Sequence, residues 1–228
     1  ATQDEQPTDN FNTVLYSGTG NTTQNITGVG FQPDWVWIKN RNTAVNHYIL
    51  DSSRGLNYLS SSTTSAESSS ANRFNSFDSD GFQVEHSGGG NGFTNGSGQT
   101  YVAWNWKANG GTTSSNTDGD ITSTVQANTT AGFSIVTYTG TGTQSDTVGH
   151  GLGKKPAWVL VKSRSEAQNW HVYHQGLDSS APHNYTIFLN ATNTRASSSS
   201  NYWGGSAPTT SVIGVGNDNS SNKISTTY

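Results

Sequence analysis

At 228 residues the chain can form one large β-domain or two of about 110 residues, and either would bury a core. Only 30% is hydrophobic and 11% charged, yet 7 Trp, 9 Tyr and 8 Phe are present, so its polarity is that of long uncharged loops, not of a disordered chain or a helical bundle. A net charge of -4 offers no basic stripe to a phosphate backbone, so nucleic acid and anionic membrane surfaces are not expected partners.

In chain order, residues 1–10 read as an N-terminal arm without the basic-then-apolar pattern of a signal peptide. Strands are predicted at Asn12–Tyr16, Asp34–Lys39, His47–Asp51, Gly81–Val84 and Thr100–Lys107, separated by clusters of Gly, Asn and Ser. The segment Asp78-Ser-Asp80-Gly81 reads as a turn, and Gly88–Gly92 as a flexible loop tip. Residues 109–131 are a linker by composition, free enough to let flanking domains move independently unless they pack together. Further strands are predicted at Phe133–Tyr138, Ala157–Lys162, Trp170–Tyr173, Tyr185–Asn190, Ser211–Val215 and Lys223–Tyr228. No stretch carries apolar residues at helical spacing over three turns, so helices should be short or missing.

The second half repeats the first. Tyr16-Ser-Gly-Thr-Gly20 recurs as Tyr138-Thr-Gly-Thr-Gly142, an offset of 122. Pro33-Asp-Trp35-Val-Trp-Ile-Lys39-Asn-Arg41 recurs as Pro156-Ala-Trp158-Val-Leu-Val-Lys162-Ser-Arg164, an offset of 123. Residues 11–108 and 132–228 are therefore two copies of one domain, and short strands at this spacing predict an all-β chain of two tandem antiparallel β-sandwiches, of jelly-roll or concanavalin-like kind.

The strand Asp34–Lys39 is apolar on both faces, as a central strand covered on both sides would be. Trp also suits a sugar-binding platform, but copy two replaces Trp37 by Leu160, so this place asks only for bulk. Trp35, Trp37, Trp104, Trp106 and Trp158 accordingly read as core residues, with Trp35 and Trp158 equivalent. Tyr202 and Trp203 lie in a predicted loop between a Ser run and a Gly-Gly pair. They are the candidate ligand-binding residues, unless the loop folds its Trp back over the sandwich end.

Catalytic and metal constellations are not expected. His171 and His174 are the closest histidines, and residues three apart on a strand face opposite sides. His47, His86, His150 and His183 have no ligand spacing. The four Glu residues are scattered away from the paired arrangement that glycoside hydrolysis requires, and there is no Cys. No cofactor and no catalytic residue is assigned.

At the level of the Tyr-x-Gly-Thr-Gly, Pro-x-Trp-Val and Lys-x-Arg elements, with Ser76–Phe82, Thr100–Lys107, His150–Pro156, Asn169–His174 and Ala207–Val212 beside them, the chain resembles a β-rich repeated domain of tail-fibre-like and other structural proteins of tailed phages, marine and cyanobacterial ones notably. Asn105 stands where that family usually has Cys. The resemblance implies a non-enzymatic virion component: a tail fibre, tail-associated or capsid-decorating protein on the particle exterior. Its implied partners are other virion proteins, copies of itself and host cell-surface glycan. The alternative is an extracellular carbohydrate-binding or carbohydrate-active module on a similar sandwich. Tyr228 is the counterpart of Tyr101, which opens the strand Tyr101–Lys107, so copy two is expected to lack its closing strand. Either a continuation of the polypeptide or a neighbouring subunit would then supply it by β-augmentation.

Overall fold

A computed structural model describes residues 6–86, 92–197 and 199–228, so residues 1–5 of the expected arm and most of the expected loop tip at Gly88–Gly92 lie outside the described residues. The chain is all-β, with several antiparallel sheets, 39% strand and 4% helix. It divides into two compact units, one of residues up to Ser60 with Ser68–Thr112, the other of Ser61–Glu67 with Thr113–Tyr228.

Unit 1 holds β1 (Phe11–Ser17), β2 (Thr23–Ile26), β3 (Trp35–Asn40), β4 (Tyr48–Asp51), β5 (Asn57–Ser60), β6 (Ser68–Ser69), β7 (Phe74–Asp78), β8 (Gly81–Glu85) and β9 (Thr100–Trp106). They form a six-stranded sheet in the order β1-β9-β3-β4-β5-β6 and a three-stranded sheet β2-β8-β7. One core cluster draws on both: Val36 and Ile38 of β3, Tyr48 and Leu50 of β4, and Tyr101 and Ala103 of β9 pack with Ile26, Phe74, Phe82 and Val84. Alternation in a pleated strand puts every second residue of β3 toward that cluster, and Val36 and Ile38 are wholly buried. The β7–β8 hairpin turns through Ser79 and Asp80, as expected, and the Asp80 carboxylate accepts the N–H groups of Gly28 at 3.1 Å and Gly30 at 2.6 Å.

Unit 2 holds β10 (Ser114–Asn116), β11 (Ser123–Asn128), β12 (Phe133–Thr137), β13 (Asp146–Gly149), β14 (Trp158–Val161), β15 (His171–His174), β16 (Tyr185–Phe188), β17 (Ala196–Ser197), the five-residue helix α1 (Ser199–Trp203) and β18 (Val212–Val215). The sheets are β10-β11-β12, β14-β15-β16-β17 and the pair β13-β18. The stretch expected as a flexible linker instead supplies β10 and β11, whose backbones are satisfied by pairing with each other and with β12. The strand expected at Lys223–Tyr228 is replaced by a single bridge between Thr139 and Thr227.

The recurring residues make the same bonds in both units. Tyr16 stacks on Tyr101 with ring centroids 4.9 Å apart and donates its hydroxyl to the Thr94 carbonyl at 2.8 Å. Tyr138 stacks on Tyr228 at 5.0 Å and donates to the Ser221 carbonyl at 2.6 Å. The side-chain oxygen of Asn95 accepts the Thr19 N–H at 2.9 Å, and that of Asn222 accepts the Thr141 N–H at 2.8 Å. The ammonium groups of Lys39 and Lys162 donate to the next carbonyl along, Asn40 at 2.6 Å and Ser163 at 2.7 Å. Glycine recurs at 18 and 140 because backbones touch there: a Cβ would sit 2.3 Å from the Gly96 carbonyl oxygen in one unit and 2.3 Å from that of Lys223 in the other.

Candidate interaction surface

The face of the six-stranded sheet turned away from the unit 1 core is aromatic. Register places Phe11, Trp106 and Trp35 in one row across β1, β9 and β3, and Thr13, Trp104 and Trp37 in the next. Phe11 and Trp106 meet at 4.7 Å between centroids, and Trp37 and Trp104 meet edge-on at 5.9 Å. Leu15, in the row beyond, is 62% exposed.

Trp35, Trp37, Trp104 and Trp106 were expected in the core and are instead half-buried on this outer face. The space toward the second sheet goes to the partners of opposite phase in the same strands, Val36, Ile38, Ala103 and the wholly buried Asn105. Trp158 departs further. It opens β14 as Trp35 opens β3, yet it is 48% exposed; among the described residues β14 pairs with β15 alone, whereas β3 has a neighbour on each side.

The two candidate ligand-binding residues separate. Trp203 is a core residue, 2% exposed, packed edge-on against Tyr173 at 5.9 Å and donating its Nε1–H to the Tyr185 carbonyl at 3.1 Å. The helix α1 turns it inward, so it offers no surface to a ligand. Tyr202, half-buried, lies over the imidazole of His171 at 4.4 Å and edge-on to Phe188 at 6.4 Å.

The strand puts His171 and His174 on opposite sides, as their spacing predicts, one buried and the other exposed. The His171 Nε2 is 3.9 Å from an Asp218 oxygen, and its Nδ1 has no hydrogen-bond partner among the described residues. Burial drives its pKa down from 6.5 to about 4, against the opposing pull of Asp218. The unfolded chain therefore takes up this proton below pH 6.5 while the folded one resists it until about 4. The contribution to stability present above pH 6.5 is lost as the pH falls through that window. Denaturant midpoints between pH 7 and pH 4 should show this slope in the native protein and a shallower one in His171→Phe. An unchanged slope in the variant would assign the loss elsewhere.

A small polar cleft of unit 1 had no signal in the sequence. It has a volume of about 160 Å³ and is lined by Asn72, Arg73, Glu85, His86 and Phe93 among others. The Arg73 guanidinium lies 4.6 Å from the Phe93 ring centre and 5.0 Å from that of Tyr58, held between aromatic faces. Glu85 accepts the Asn72 N–H at 3.1 Å. Among the described residues no three His, Asp or Glu side chains converge as metal ligands would.

A family model described as a domain of unknown function, DUF7483, matches residues 6–228, and the chain belongs to that family. No curated protein and no solved structure matches it.

Proposed function

We propose that the chain is a non-enzymatic structural component of a tailed-phage virion, built of two jelly-roll or concanavalin-like sandwiches. On this reading it uses its aromatic sheet face to meet other virion proteins, copies of itself or host cell-surface glycan. The observation that carries the proposal is the row of exposed Phe11 with half-buried Trp106 and Trp35, and half-buried Trp104 and Trp37 beside it, on a sheet whose other face already packs a core. Flat indole faces suit both protein contacts and the apolar faces of pyranose rings. The shared core of the two sheets in unit 1 and the duplicated bonds of unit 2 support the sandwich architecture.

Quantitative mass spectrometry of purified virions should find the chain in multiple copies per particle. Glycan arrays should show weak binding by the isolated chain and stronger binding by particles through avidity. The aromatic face also suits an extracellular carbohydrate-binding module, and that reading wins if the isolated chain binds glycan and virions lack it. Cleavage of a polysaccharide at a defined bond would overturn the non-enzymatic reading.

A further inference from the structure

The polar cleft of unit 1 stands at the end of the β7–β8 hairpin opposite its turn, where Arg73 leads into β7 and Glu85 closes β8. Its walls are pinned through the backbone. The Arg73 carbonyl accepts the Glu85 N–H at 3.0 Å and the Thr94 hydroxyl at 2.6 Å, and the His86 N–H donates to the Thr22 carbonyl at 3.1 Å. The side chains lining the cleft are thus carried on a hydrogen-bonded frame, as a binding site requires.

Arg73 is the unusual member. Its guanidinium lies 4.6, 5.0 and 5.9 Å from the ring centres of Phe93, Tyr58 and Tyr48, and its Nε is buried with no hydrogen-bond partner among the described residues. Three rings cover the cation without neutralising it. Burial pushes the Tyr48 hydroxyl up to about 12 against the pull of the Arg73 charge, so that phenol stays neutral and supplies no counter-charge. Among the described residues no carboxylate pairs with Arg73. Glu85 lines the same cleft, yet it accepts the Asn72 N–H at 3.1 Å and does not close on the guanidinium. A half-buried cation without its ion pair, beside an acid engaged elsewhere, leaves room between them for a ligand that satisfies both.

We propose that this cleft binds one carboxylate-bearing sugar ring, a hexuronate, with its carboxylate on the Arg73 guanidinium and its hydroxyls on Glu85, Asn72 and His86. A volume of about 160 Å³ is of the size that holds a six-membered ring. The guanidinium offers parallel N–H donors that match a carboxylate. An ionised Glu accepts only, whereas amide and imidazole side chains both donate and accept, and that mixture suits hydroxyl groups. A free amino acid would also bring a carboxylate, but its ammonium asks for three acceptors, and Glu85 is the one acidic side chain among the described residues of the cleft. The cleft shares no residue with the aromatic sheet face and does not depend on the virion reading.

The test titrates sodium glucuronate into the isotopically labelled chain and follows its amide resonances. Saturable shifts are expected at Asn72, Arg73, Glu85 and Phe93. Glucose lacks the carboxylate and acetate lacks the hydroxyls, so each should bind more weakly by about tenfold or more. Glycine should bind no better than acetate. Arg73→Lys keeps the charge but not the parallel donors, and should weaken glucuronate by about tenfold. A dispersed spectrum shows whether that variant folds, and if it does not, the ligand series on the native chain decides. No saturable shift with glucuronate, shifts confined to other residues, equal binding of glucose or acetate, tighter binding of glycine, or full affinity in a folded Arg73→Lys would overturn the proposal.

Discussion

Replacing Asp34 by Ala is expected to destabilise unit 1 by about 3–5 kcal/mol and to lower its melting temperature by more than about 10 °C. The carboxylate is wholly buried at the start of β3 and collects four donors: the N–H groups of Ala108 at 2.7 Å, Gly110 at 2.9 Å and Gly111 at 2.8 Å, and the Ser52 hydroxyl at 2.7 Å. It thereby ties the chain leaving β9 to the entrance of β3. Removing it takes the acceptor from the buried Ala108 N–H and from the N–H groups of Gly110 and Gly111 on the more exposed loop, and the unmade buried bond alone costs about 1–3 kcal/mol before the loop relaxes. Asp34→Asn should recover little, because its amide nitrogen presents hydrogens to donors. Ser52→Ala removes one donor and should cost no more than about 1.5 kcal/mol. Calorimetry of the three variants tests the ranking, and an Asp34→Ala protein within 1 kcal/mol of the native one would refute the clamp.

The strands legible in the sequence were those with dense apolar or aromatic alternation, such as β3, β9 and β14. Alternation shows that a strand has two faces, but in β3 both are apolar, and bulk suggested the wrong one: the indoles took the outer face and Val36 and Ile38 the core. β2, with Thr23-Gln-Asn-Ile26, and β10, with Ser114-Ser-Asn116, are too short and polar for alternation to mark them, and they are strands because partners lie beside them. The repeat was plain, but not its cause. Tyr16 recurs at 138 because its hydroxyl reaches a carbonyl 78 residues on, a distance no local pattern encodes. Asp34 was visible only as the residue before a Trp, with Ala157 in its place in copy two, so the repeat hid the clamp. The site around His171 required Asp218 and Tyr202 to arrive from a different part of the chain, and no spacing announces that.

Trp203→Ala is expected to cost unit 2 about 3–5 kcal/mol, while Trp158→Ala should change stability by no more than about 1 kcal/mol. Trp203 fills the cluster of Ile121, Tyr138, Val148, Val161, Tyr173, Ile213, Val215 and Tyr228, and its truncation leaves a cavity that these β-strand side chains cannot collapse into. It also leaves the Tyr185 carbonyl without its indole donor. Trp203→Phe would restore most of the packing but not that bond, so an intermediate loss of about 1–2 kcal/mol is expected. Trp158, nearly half exposed, has little packing to lose in the isolated chain. Urea unfolding of the three variants, followed by a probe specific to unit 2, gives the order Trp203→Ala, Trp203→Phe, Trp158→Ala from least to most stable. The reverse order would place Trp158 in the core and return Trp203 to the surface, where a ligand could reach it.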